Sequence, residues 1–81
     1  MAALTPEANR AARAILKWSV RELADHAGVA FSMVHRFEAT GVATETTKDK
    51  IKAAFALHGV EITNGDYTGA RLLLKRKSEL E

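Results

Sequence analysis

Ala24 and Gly28 stand four residues apart at the end of one amphipathic stretch, and a second such stretch begins only two residues after the glycine. A connection of Gly28 and Val29 is too short to let two helices lie side by side, so they must cross. Gly28 can supply the positive φ that turns the chain at once. Ala24 must then be small, because the following helix passes over it. Leu23, Ala27, Val29, Val34 and Phe37 are the apolar positions expected to lock that crossing.

The rest of the chain divides into elements with readable ends. Thr5, Pro6 and Glu7 read as N-cap, first helical position and first-turn acid of a helix over residues 6–17, with Ala8, Ala11, Ala12, Ile15 and Leu16 as its apolar positions. Ser19 and Glu22 have capping-box spacing and open a second helix that runs to about Ala27. A third helix is expected over residues 30–39 and ends at Thr40-Gly41. Thr44 to Thr47 offer caps for a fourth, whose apolar positions are Ile51, Ala54, Phe55 and Leu57, closing at His58-Gly59. Beyond Gly59 the pattern alternates through Val60 and Ile62, Asn64-Gly65 marks a turn, and the run ARLLLK follows from Ala70. A C-terminal hairpin over residues 60–78 is the preferred reading, with a fifth helix over residues 70–78 as the rival. The expected fold is mainly α, a four-helix core followed by a short β-hairpin.

Eighty-one residues support one small core, so residues 1–59 are assigned to one domain with the hairpin as its appendage. Residues 79–81 are set aside as a tail, since the final Leu80-Glu81 matches what expression vectors leave behind. With no cysteine, the chain must rely on packing, which fits a reducing, cytoplasmic setting. The N-terminal stretch carries arginines and no long apolar run, so neither a signal peptide nor a membrane span is expected. The net charge of +2 says less than its distribution: Arg10, Arg13, Lys17 and Arg21 come early, Lys48, Lys50 and Lys52 cluster later, and Lys75, Arg76 and Lys77 close the chain.

A small residue, a turn glycine four residues on and a branched apolar residue six beyond that, here Ala24, Gly28 and Val34, have the spacing of a helix-turn-helix, the motif spanning residues 20–39. The segment RAILKWSVRELADHAGVAFSMVHRFEATG, residues 13–41, resembles the Xre or lambda-repressor-like helix-turn-helix family of bacterial and phage regulators. The family's usual pattern is an Arg on helix one, a Ser-Gln opening helix two, Leu-Ala and Gly-Val in the middle, and Arg-x-Glu-x-Gly near the end, where this chain has RFEATG. The resemblance implies a lambda-repressor-like core and a regulator, a repressor foremost, that binds double-stranded DNA with helix three in the major groove. Carried over residue by residue, it implies base contacts from Phe31, Ser32 and Arg36, and phosphate contacts from Ser19, Arg21 and His35. It also implies a structural ion pair between Arg13 and Glu38. Two positions depart from the family pattern: Val20 stands where Gln is common, and Ala30 replaces a Ser or Thr cap.

Helical geometry agrees that Phe31, Ser32, His35 and Arg36 project away from Val34 and Phe37. An arginine can bond guanine O6 and N7 in a bidentate manner, and an apolar ring can touch a thymine methyl. Three roles stay open to Phe31: groove contact, contact with a partner protein, or folding back on its own helix. Met33 lies at the side of the helix, suited to core or edge packing. His26 and His58 read as surface or helix-end histidines, because no carboxylate or cysteine stands at metal-ligand spacing from either. Trp18 reads as a core-edge anchor.

No metal, cofactor or small-molecule ligand is implied, and a core this small leaves little room for a catalytic pocket, so an enzyme is not expected. The alternative is a protein-interaction module such as an antitoxin or adaptor, binding a protein through the same surface. A homodimer on an inverted-repeat operator is expected, with Leu73 on the outer face of the hairpin as the candidate interface residue.

Overall fold

The computed structural model describes residues 4–63 and 69–72. It is mainly helical, with α1 Pro6–Leu16, α2 Val20–Ala27, α3 Phe31–Thr40 and α4 Glu45–Leu57, then β1 Val60–Thr63 and β2 Gly69–Leu72. The strands pair antiparallel, Val60 opposite Leu72 and Thr63 opposite Gly69. Residues 69–72 are therefore strand; the turn dipeptide Asn64-Gly65 and residues 73–81, with Leu73 and the basic run at Lys75, lie outside the described residues. No helix among the described residues is long and apolar enough to cross a membrane.

Three helix starts follow from side-chain oxygens that accept from orphan backbone N–H groups. Thr5 Oγ1 accepts from the Ala8 N–H at 3.1 Å. Ser19 Oγ accepts from the Glu22 N–H at 3.0 Å, while the Glu22 carboxylate accepts from the Ser19 N–H at 2.7 Å. Thr44 Oγ1 accepts from the Thr47 N–H at 3.1 Å. Helix α3 begins one residue later than the sequence pattern places it, because Ala30 is its N-cap and has no side-chain bond to offer. Helix α1 likewise stops at Leu16, with Lys17 in the left-handed region at φ 59°.

The core is built where the helices cross. Leu23 and Ala24 of α2, Val34 and Phe37 of α3, and Ile51 and Phe55 of α4 are all buried, with Ala8 and Ala12 of α1 and Val60 of β1 closing it. Ala8 and Ala12 are fully buried without bulk, which lets α1 lie close against α3 and the two strands. Leu57, assigned to the buried side of α4 by its sequence, is 79% exposed. It falls roughly 100° away from the centre of the stripe made by Thr47, Ile51, Ala54 and Phe55, which is enough to carry it off the core.

Gly28 closes α2 at φ 72°, its N–H donating to Ala24 O at 2.9 Å. A Cβ built there would meet nothing within 4 Å, so the demand for glycine is one of backbone conformation alone. Gly28→Ala is therefore expected to cost about 1–2 kcal/mol, the penalty for a left-handed L-residue. Urea denaturation followed by circular dichroism measures it; a loss well above that range would mean steric conflict at a site that is open.

Trp18, between α1 and α2, gathers an aromatic cluster at one end of the molecule. Its ring stacks on His26 at 4.1 Å between centroids, meets His58 edge-on at 4.8 Å, and lies 5.9 Å from Phe55. His26 and His58 also meet each other, at 4.9 Å. The two histidines are thus packing partners of Trp18 and not merely surface residues. Thirty-two positions separate them in the chain, so only the fold reveals the contact.

Candidate nucleic-acid interface

Helix α3 has two unlike sides. Val34 and Phe37 enter the core, while Phe31, Ser32, Met33, His35 and Arg36 are all exposed. The helix contains one carboxylate, Glu38, and that side chain is turned back towards α1. Its oxygens accept from Arg13 Nε at 2.7 Å and Arg13 Nη2 at 2.9 Å, a bidentate pairing whose side chains are 19% and 10% exposed. Arg13 also donates through Nη1 to Trp18 O at 3.0 Å, and Arg10 donates to Glu38 O at 3.1 Å. The expected contact between Arg13 and Glu38 is present in the structure. It leaves the outer side of α3 with His35 and Arg36 and no carboxylate.

A residue with no role expected from the sequence completes this clamp. Asn9, fully buried, donates from Nδ2 to Glu38 Oε2, while its Oδ1 has no hydrogen-bond partner among the described residues. The available signal was position: Asn9 stands four residues before Arg13, hence on the same side of α1, between the buried Ala8 and Ala12.

Phe31 occupies an intermediate position. It is 39% exposed, the Arg21 guanidinium lies 4.5 Å from its ring centroid, and the His35 ring is 6.0 Å away. One face of the ring is therefore engaged with its own molecule, through a cation–π contact of about 0.5–1 kcal/mol for an exposed site. The remaining edge stays open. Arg21, read from sequence as a phosphate contact, joins α2 to the start of α3, and its guanidinium still carries edge N–H donors while it lies over the ring. These three residues form one continuous surface of cation and ring.

Ser19 and Ser32 contribute differently. The Ser19 hydroxyl and N–H are both used by the capping box with Glu22, and the N–H groups of Val20 and Arg21 in the first turn have no intrahelical acceptor. Ser32 is exposed in the first turn of α3, where Ala30 leaves the helix without a side-chain cap.

Arg36 borders a shallow apolar depression of about 220 Å³, lined also by Met33, Val42, Ala43 and Thr44. Gly41, at φ 81°, ends α3 and turns the chain so that Val42 stands beside Met33. Val42 is 55% exposed and Met33 38%. Met33 is thus an open edge residue, and Val42 belongs to this surface although the sequence gives only an apolar residue in a loop. A scan against protein-family models and a search of curated proteins return no match to this chain.

Proposed function

We propose that this protein is a sequence-specific, double-stranded DNA-binding regulator, in the role of a repressor, with α2 and α3 as a lambda-repressor-like helix-turn-helix and α3 entering the major groove. The observation that carries this reading is the two-sidedness of α3. Its one carboxylate is held by Arg13 and Asn9, and the opposite side offers Ser32, His35 and Arg36 with Phe31 under Arg21. In this reading Arg36, Ser32 and Phe31 face base edges, and Arg21, His35 and the start of α2 at Ser19 face phosphates.

Titration of the full chain with genomic DNA fragments at increasing salt tests it, together with selection of bound sequences from a random duplex library. Affinity should fall by about tenfold or more between about 50 and 200 mM salt, as phosphate contacts release counterions, and the library should converge on one sequence. Salt-independent binding or no enrichment would reject it. The second reading, a protein-interaction module such as an antitoxin or adaptor, draws on the exposed apolar side chains Phe31, Met33 and Val42. Binding through them would not share that salt dependence.

The reading includes a two-fold dimer on an inverted repeat, since one helix reads only a few base pairs and two half-sites lie roughly 34 Å apart. Leu73 is the interface residue proposed. Sedimentation equilibrium should show a wild-type dimer at micromolar concentration and a Leu73→Asp monomer; a monomeric wild type would remove the dimer, and a dimeric variant would move its interface.

A further inference from the structure

The apolar depression beside Arg36 lies at the surface, and of its lining residues Ala43 packs against the core. Val34 and Phe37 of the same helix are buried in the core, while Met33 and Val42, which line the depression together with Arg36, are exposed. Met33 and Arg36 are three residues apart and share one side of α3. Val42 is brought to them by the turn at Gly41. The composite therefore presents a flat, five-donor cation flanked by an apolar hollow.

On the floor of the major groove, one apolar group is available for such a hollow, the C5-methyl of a pyrimidine, and the edge that best matches an arginine fork is guanine O6 and N7. Stacked bases on one strand are separated by about 3.4 Å, so a methyl on the base next to a guanine lies within a side chain's reach of an arginine bound to that guanine. The hollow is wider than one methyl, so the C5–C6 edge of the base enters with it. The surrounding charge suits a polyanion: His35 and Arg36 share the outer side of α3, and the helix's carboxylate is turned to Arg13.

We propose that Met33 and Val42 form a reader for a 5-methylpyrimidine adjacent to the guanine bound by Arg36, making a two-base unit of recognition. This rests on α3 being the groove-facing helix. The shared chemistry is the methyl group, carried by thymine or by 5-methylcytosine.

The test is fluorescence-anisotropy titration of the full chain with duplexes derived from its selected site. At the pyrimidine next to the guanine, replacement of thymine by deoxyuridine removes only the methyl and should weaken binding by about three- to fivefold, the worth of one buried methyl-sized group. Cytosine against 5-methylcytosine at the same position shows whether the second source is also accepted; rescue by 5-methylcytosine assigns the preference to the methyl itself, and a preference for thymine alone narrows the ligand to that base. Met33→Ala and Val42→Ala, each checked for an unchanged melting transition, should still bind DNA while the thymine-to-deoxyuridine ratio falls to about one. Equal affinity for thymine and deoxyuridine at every pyrimidine of the site would overturn the proposal. So would a methyl preference that survives in both variants and disappears in Phe31→Ala, since the ring would then be the reader. If the two variants instead dissociate an oligomer with the ratio unchanged, the hollow is a protein contact and the proposal falls. Absence of DNA binding under all conditions would reject the regulatory reading itself, a result distinct from binding without methyl discrimination.

Discussion

Glu38→Ala is expected to lower the stability of the protein by about 3 kcal/mol, the lower end of the cost of breaking a buried pair. The loss strands three donors at once: Arg13 Nε, Arg13 Nη2 and Asn9 Nδ2. Arg13 is 19% exposed on its side chain and can turn partly to water, but Asn9 is fully buried and cannot. For a domain of this size, total stability is of order 4–12 kcal/mol, so the loss is a large fraction of it. Thermal melting should shift by roughly 12–24 °C. Asn9→Asp should be comparably damaging, since it sets a second carboxylate against Glu38 in the same buried place. Glu38→Gln retains one acceptor oxygen and should cost less than either. An unchanged melting temperature in Glu38→Ala would show that the clamp contributes nothing net. Base preference, measured at a temperature where the variant is folded, should be unaltered.

Arg36→Ala is expected to behave in the opposite way, with loss of affinity and no loss of fold. Its side chain is exposed, and the bond that Thr40 Oγ1 donates to Arg36, at 2.8 Å, goes to the backbone oxygen, which alanine retains. If Arg36 bonds guanine O6 and N7, the preferred site should weaken by about 1–3 kcal/mol, roughly fivefold to more than a hundredfold, while random DNA changes little. Equal weakening on both would make Arg36 a phosphate contact. No weakening on either would place it outside the interface. The comparison with Glu38→Ala is informative because the two residues are only two positions apart on α3, yet one faces the core and the other faces away.

Much of this arrangement was legible in the chain because it depends on neighbours in sequence. Capping residues Thr5, Ser19 and Thr44 bond N–H groups three positions on, and Gly28 answers a local need for positive φ. Helical spacing alone separates Val34 and Phe37 from Ser32, His35 and Arg36. The pairing of Arg13 with Glu38 was available only through a resemblance, since nothing local connects residues twenty-five positions apart.

The helices, their caps and the division of α3 into two sides can be read along the chain, because each follows from interactions within one or two turns of backbone. Which distant groups meet is set by the packing of the helices: Asn9 with Glu38, His26 with His58 at Trp18, Arg21 over Phe31, and Val42 with Met33 and Arg36 around one depression. Periodicity assigns a residue to a side of its helix and says nothing of what that side will face. The partner is fixed by the crossing of helices around a shared core, where burial, a non-local quantity, selects the contacts.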